Sequence, residues 1–454
     1  MRRYLIVSVA LLLTVGLGFY LSKVFYTVPE GRDVDSTAKS VLQWNHCLQC
    51  HSYNPELPIY ASFPIISEML ASDMEQGYQH ADLKPFMDLL DYNTQLPEAM
   101  LAKIEQTLLE GTMPPLSYVA VHWGKGINRK EKALLLDWIY NKRQVYYVPG
   151  LAAEPFANAM VQPLFDSLDF QPHIAVLGEQ LFHDVRFSID NTVSCATCHG
   201  LQTGGVDRKP VSEGIKGSFG NINSPTVFNA AYNILQFWDG RAIDLQEQAA
   251  GPPMNPVEMG SISWDSIVAK FPEEDPFTVQ FLAAFPEGLN QKTLTAAIAE
   301  FEKTLTTPNS RFDQYLKGKE DALTLQEKRG FELFQAHRCA TCHVGMLMGG
   351  QSFEKMGLKA DYFANRGGEV KTSDYGLFNT TKREYDKFRL KTPTLRNIAL
   401  TPPYFHDGTQ KTLNEAVESM LKYQTGTRMK PSELEDLTLF LHSLTGYYRG
   451  KLLE

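Results

Sequence analysis

An all-α fold shared among several small domains is what this sequence predicts, on three observations. Apolar residues recur at helical spacing over residues 36–45, 129–140, 291–304, 325–336 and 413–423. Runs with the two-residue alternation of a strand are few. All six cysteines are used in three copies of Cys-x-x-Cys-His: Cys47-Leu-Gln-Cys50-His51, Cys195-Ala-Thr-Cys198-His199 and Cys339-Ala-Thr-Cys342-His343. A chain of 454 residues has room for several domains with ordinary cores, and three copies of one motif imply three.

The first element is a membrane signal. Arg2 and Arg3 precede a nearly uncharged run from Tyr4 to Tyr20, which Lys23 closes. About 18 apolar residues just span a bilayer. The following Leu21-Ser-Lys-Val-Phe-Tyr26 offers no Ala-x-Ala cleavage site, so an uncleaved transmembrane anchor over residues 1–30 is expected rather than a signal peptide. The paired arginines keep the N-terminus cytoplasmic and place the rest of the chain on the outer side. A net charge of -9 argues against nucleic acid as a partner.

The three motifs come next. Two thiols at this spacing reach the two vinyl groups of one porphyrin as thioethers, and the adjacent histidine supplies the proximal iron ligand. A thioredoxin-like pair or a zinc site is the alternative. Histidine follows directly in every copy, however, and no second pair completes a zinc set. Three covalent haem c groups are therefore expected, in three cytochrome c-like domains over residues 31–150, 151–315 and 316–454. The first opens with the 36–45 helix and closes with Arg129-Lys-Glu-Lys-Ala-Leu-Leu-Leu-Asp-Trp-Ile-Tyr140; a loop-like stretch from Val148 to Pro172 then links it to the second.

The second and third domains share an internal repeat. Pro225-Thr226, Asn229, Phe237, Asp239-Gly240 and Glu247 match Pro393-Thr394, Asn397, Phe405, Asp407-Gly408 and Glu415 at a constant offset of 168 residues. The register exposes a difference in iron ligation. Met420 in the third domain aligns with Pro252 in the second, and a thioether can ligate haem iron where a proline cannot. Met420 is thus a candidate sixth ligand opposite His343, with core packing as its alternative. The His199 haem lacks that ligand. Beyond Trp238-Asp-Gly-Arg241 the second domain carries Gln248 and Glu258, an amide that could orient peroxide and a carboxylate that could move its proton. From these residues alone, surface positions are the commoner reading of both.

From about residue 160 onward the chain resembles the bacterial di-haem cytochrome c peroxidases, a family that includes the MauG-like enzymes. The likeness runs through Cys195-Ala-Thr-Cys-His199, Ser224-Pro-Thr, Gln236-Phe-Trp-Asp-Gly-Arg241, Glu247-Gln-Ala, Pro256-Val-Glu-Met259, Thr392-Pro-Thr-Leu-Arg-Asn397, Thr401-Pro-Pro-Tyr-Phe-His-Asp-Gly408 and Met420. The resemblance implies a peroxidatic haem at His199 and an electron-transfer haem at His343 with Met420. It also implies that Gln248 and Glu258 form the distal pair, that Trp238 relays electrons between haems, and that His406 lies close to the electron-transfer haem. A calcium ion held by Asn223, Thr401 and Pro403 is implied as well.

One departure stands out. Many members carry a histidine some sixteen residues after the peroxidatic motif that blocks the iron until the other haem is reduced, and here that position is Ile215. The first domain resembles a small haem-binding domain. Met113, in Gly111-Thr-Met-Pro-Pro115, is the chosen sixth ligand of its His51 haem, with Met69, Met74, Met100, His80 and His122 as other candidates. The whole resembles the tri-haem, membrane-attached quinol peroxidases of the bacterial inner membrane, with the haem domains in the periplasm. The expected substrate is hydrogen peroxide, and the expected donor is quinol or a small cytochrome or cupredoxin. A MauG-like protein-modifying oxidase, for which Tyr rather than Met420 would be expected, and a non-enzymatic electron carrier are the alternatives.

Overall fold

A computed structural model describes residues 31–57, 59–92, 94–115, 118, 119 and 126–454, with isolated positions between 10 and 20. No helix among the described residues is long and apolar enough to cross a membrane. Most of the expected anchor, residues 1–30, lies outside them. The chain divides into two compact units, residues 1–147 and 148–454.

In the first unit, helix α1 (Val34–Trp44) starts at Asp33, whose carboxylate accepts from Ser36 N while Ser36 Oγ accepts from Asp33 N. This reciprocal cap satisfies amides that a helix start leaves open. Helices α2 (Pro64–His80), α3 (Leu83–Leu89), α4 (Glu98–Glu110) and α5 (Arg129–Tyr146) follow, the last capped by Asn128 and Glu131. Val41, Leu42, Phe86, Leu101, Leu135, Trp138 and Ile139 form the core. Two polar pairs are built into it: Trp138 Nε1 donates to Asp35 at 2.8 Å, and Arg143 meets Glu105 at 2.5 Å.

The second unit holds both remaining motifs around two cores. Helix α6 (Pro172–Phe182), helix α7 (Leu245–Ala249) and helix α8 (Gln291–Lys303) belong to the middle core, with Phe187, Phe228, Phe281 and Phe301 buried inside. Helices α9 (Arg311–Leu316), α10 (Leu325–Ala336), α11 (Leu413–Met420) and α12 (Pro431–His442) build the C-terminal core around Phe312, Phe331, Phe334 and Phe440. Each core rests on one close helix crossing. A Cβ on Gly178 of α6 would run into the Ala297 carbonyl of α8, and a Cβ on Gly330 of α10 would run into the Asp436 carbonyl of α12. Only glycine lets the backbones approach so far.

The 168-residue register holds in the backbone itself. Asn229 and Asn397 both take φ 62°, Phe237 and Phe405 take 65° and 70°, and Gly240 and Gly408 take 68° and 61°. Thr307 joins the halves, since its Oγ1 accepts from Asn229 Nδ2 at 2.7 Å and from Asn397 Nδ2 at 2.9 Å. The cores do not part cleanly at residue 315. Phe156, Met160 and Val161 pack in the C-terminal core, while Tyr448 and Leu453 return to the middle one. Buried Arg396 pins the first of these segments, donating to Gln162 O at 2.9 Å while pairing with Asp313 at 2.7 Å. The insertion of the third domain folds as a hairpin of β1 (Phe353–Lys355) and β2 (Arg389–Lys391) with short helical turns between them.

Candidate functional site

Each Cys-x-x-Cys-His forms a tight turn, closed by the histidine N–H on the carbonyl of the first cysteine at 3.1, 2.9 and 2.9 Å for His51, His199 and His343. The imidazoles are then fixed alike. Nδ1 faces a backbone carbonyl in every case: Ala81 O at 3.1 Å for His51, Gly205 O at 3.3 Å for His199 and Met348 O at 3.1 Å for His343. A proton on Nδ1 leaves the Nε2 lone pair for iron. Burial keeps the rings neutral, lowering His51 and His199 and taking His343 down to about 4.

The cysteines form no disulfide. Burial pushes Cys47, Cys195 and Cys339 up to about 12, far from the depressed values of reactive dithiol pairs. Two buried polar groups also call for an acidic partner of the kind that haem propionates provide. Lys391 is 5 % exposed, and its ammonium makes one hydrogen bond among the described residues, to Leu235 O at 3.2 Å. Tyr232 OH has no hydrogen-bond partner among the described residues. These residues fit haem.

The two homologous sites diverge where the sequence register places the sixth ligand. Helix α11 continues past Met420 as a π-helical turn, Leu421–Thr425, a feature often found at functional sites. Met420 packs against the cluster of Trp238, Tyr362, Leu390 and Tyr423. In the middle domain α7 stops at Ala249, and Gly251–Met254 forms a separate short helical turn with Pro252 and Pro253 in it. Gln248, on that last turn of α7, is half-buried, and its amide makes no hydrogen bond among the described residues.

Ile215 is buried, and its N–H donates to the Glu258 carbonyl at 2.9 Å. Glu258 is half-buried, and its charge acts on the Cys198 thiol of the haem motif. Burial raises the Glu258 carboxyl, against the pull of Arg241 and of a hydrogen bond from Asn255. A carboxyl raised by burial keeps its proton more readily than an exposed one, which suits a group that must both take up and give back a proton.

Trp238 is buried between the two halves of this unit. Its Nε1 donates to Asn223 O at 2.9 Å, and its ring lies 6.2 Å from that of His406. Asn223 N in turn donates to His406 O at 2.7 Å, and Asn223 Nδ2 donates to Lys209 O at 2.8 Å. The Asn223 side-chain oxygen is therefore turned away from Lys209 O, in a segment paired with the loop that carries Thr401 and Pro403. These are hard, neutral oxygens of the type calcium takes. Asp374, His406 and Asp407 gather nearby, but Arg366 occupies that cluster, 2.9 Å from both carboxylates. It is an ion-pair network.

In the first unit, Gly77 of α2 lies against the haem motif: a Cβ there would stand 2.7 Å from Cys50 O. Met113 follows the Gly111 cap of α4 and is 41 % exposed. Met74 lies one turn before Gly77 on α2, Met69 is exposed, and Met100 packs on the core. His122 lies outside the described residues.

Sequence reading passed over Asn255, Asp374, Lys391 and the two crossing glycines. A signal existed for some of them. Gly178-x-x-Leu181-Phe182 and Gly330-x-x-Leu333-Phe334 precede their motifs as a pair, and Asn255-Pro256-Val257-Glu258 is a side-chain-capped turn in form.

Comparison with known proteins agrees with this geometry. Residues 172–321 match the model of the di-haem cytochrome c peroxidase family, residues 27–141 that of a haem-binding domain, and residues 327–445 that of cytochrome c. The cytochrome c peroxidase Ccp of Escherichia coli is 45% identical over 402 residues, covering 88% of this chain and 86% of its own. The cytochrome c551 peroxidase of Nitrosomonas europaea is 42% identical, covering 64% of this chain and 85% of its own. Among solved structures, a MauG-like protein associated with microbial copper homeostasis superposes with TM-score 0.56 at 29% identity, over 63% of this chain and 93% of its own.

Proposed function

Since this chain belongs to the bacterial cytochrome c peroxidase family and is a peroxidase that binds haem c and acts on peroxide, we propose that it is a three-haem quinol peroxidase held at the inner membrane by residues 1–30. The haem domains would stand in the periplasm. Electrons would pass from quinol to the haem of His51 and Met113, then to that of His343 and Met420, then through Trp238 to the His199 site. The balance is H2O2 plus two electrons and two protons giving two waters, with quinol oxidised to quinone. Calcium at Asn223, Thr401 and Pro403 would tie the Trp238 segment to the loop that carries His406.

A haem held by Cys195, Cys198 and His199 would supply the iron and the redox equivalents for cleaving the O–O bond. The protein supplies the rest. Glu258 accepts the proton of the inner peroxide oxygen and delivers it to the outer one, so that water can leave. Gln248, whose amide makes no hydrogen bond among the described residues, would orient the peroxide by hydrogen bonds. The observation that carries this reading is the double absence at His199: Pro252 stands where the sister domain has Met420, and Ile215 lies buried with its N–H on Glu258 O. The oxidised protein should show a high-spin haem by EPR without prior reduction, and a wholly low-spin spectrum would sink the reading. Glu258→Gln should slow peroxide turnover by about 10²- to 10⁴-fold with haem content intact. Assays with a quinol analogue against reduced cytochrome c identify the donor.

A further inference from the structure

Glu258 is mounted from three directions. Its N–H donates to Asn255 O at 3.1 Å, and its carbonyl accepts from Ile215 N at 2.9 Å. Gly214 packs so closely on the carbonyls of Val257 and Glu258 that no side chain fits there. The backbone of Glu258 is therefore fixed, and what remains free is the direction of its carboxyl. Asn255 settles that direction. Its Oδ1 accepts from Val257 N at 3.1 Å, which locks the amide, and its Nδ2 then donates to Glu258 Oε1 at 2.7 Å. One short side chain holds both the turn and the carboxylate that the turn presents.

We infer that Asn255 is the positioning residue of the peroxide site: its amide aims one oxygen of Glu258 and holds it in the acceptor state, leaving the other oxygen to receive the peroxide proton. This rests on the reading of Glu258 as the acid–base group. Among the described residues, the charged or titratable groups acting with Glu258 are Arg241, from the turn after Trp238, and the Cys198 thiol, which haem attachment would turn into an uncharged thioether. Arg241 is itself committed to Asp239 at 2.9 Å and lies over the Phe237 ring. Asn255 is thus the neutral donor in direct contact with the carboxylate.

The sign of its effect follows. Glu258 must be ionised to take the peroxide proton, so the rate rises as pH passes its pKa. Losing a donor to the charged form moves that rise to higher pH. Asn255→Asp is the decisive variant, because an aspartate keeps the acceptor for Val257 N and so preserves the turn, while it replaces the donor by a like charge.

The experiment is stopped-flow reaction of the oxidised holoenzyme with hydrogen peroxide across pH, for wild type, Asn255→Asp, Asn255→Ala, Glu258→Gln and the double variant Asn255→Ala/Glu258→Gln. Both Asn255 variants should lose about 10- to 100-fold in rate, as loss of an outer-shell partner does. The rise should move to higher pH, further for Asp than for Ala. In the Glu258→Gln background, Asn255→Ala should cost nothing more. An unmoved rise, or the same fold-loss in both backgrounds, would assign Asn255 a structural role only and overturn the inference. A slow Glu258→Gln beside Asn255 variants at wild-type rate removes Asn255 alone, whereas a fully active Glu258→Gln removes the acid–base reading and this inference together.

Discussion

Replacing Asp374 by asparagine keeps the shape of the side chain and removes the charge of a buried carboxylate near Trp238 that accepts four hydrogen bonds. Asp374 is 1 % exposed and takes His406 Nε2 at 2.8 Å, both terminal nitrogens of Arg366 at 2.9 Å, and Lys371 N at 2.7 Å. Each oxygen serves two donors. Whichever one became an amide nitrogen would face two donors with a donor of its own. Hydrogen bonds to charged groups contribute roughly 1.5–3 kcal/mol each, and breaking a buried ion pair costs about 3–5 kcal/mol, so about 3–5 kcal/mol of destabilisation is expected. Urea denaturation of the holoprotein at pH 7 measures it. The pH dependence adds a second check. Burial alone would raise this carboxyl, but the hydrogen bonds from His406 and Arg366 prevail and hold it well below its ordinary value. Its contribution is thus complete above the unfolded pKa of about 3.9 and is lost only as pH falls through the lower folded value. The gap between wild type and Asp374→Asn should not narrow from pH 7 to about 5 and should close only in stronger acid. A gap below about 1 kcal/mol at pH 7, where an exposed pair would fall, or one that closes between pH 7 and 5, would refute the reasoning.

Met420→Ala should convert the third haem from low-spin to high-spin in the oxidised protein while leaving the first two unchanged, which visible and EPR spectra read directly. Gly330→Ala should destabilise the C-terminal core by about 1–3 kcal/mol or more, because the new methyl meets a carbonyl rather than a movable side chain; thermal denaturation measures the loss, and an unchanged midpoint would count against the crossing as described. Met113→Ala should alter the ligation spectrum of the first haem alone, and an unchanged spectrum would move the ligand to another residue such as Met74.

How much of this could be read from the sequence depended on how local the information was. The helices 325–336 and 291–304 were legible to within a residue because their caps, Thr324 with Glu327 and Asn290 with Thr293, sit beside their apolar stripes. The repeat register was legible for a different reason. Asn229 and Asn397 recur because each needs a left-handed backbone and an amide directed at one shared atom, Thr307 Oγ1, so the constraint is written twice in the chain. Single constraints across long separations left no such trace. Lys391 reads as one more charge in the basic run Lys387-Phe-Arg-Leu-Lys391, and its burial follows only once Lys391 of β2 pairs with Phe353 and its own N–H meets Trp238 O. Asp374 likewise reads as one more acid in a polar insertion. The same split explains the site. The exchange of Met420 for Pro252 is visible by comparison with the sister domain, whereas the mounting of Glu258 draws on Ile215, 43 residues upstream. That link gives Ile215 a second meaning: the residue that cannot ligate iron donates its own backbone N–H to Glu258 O.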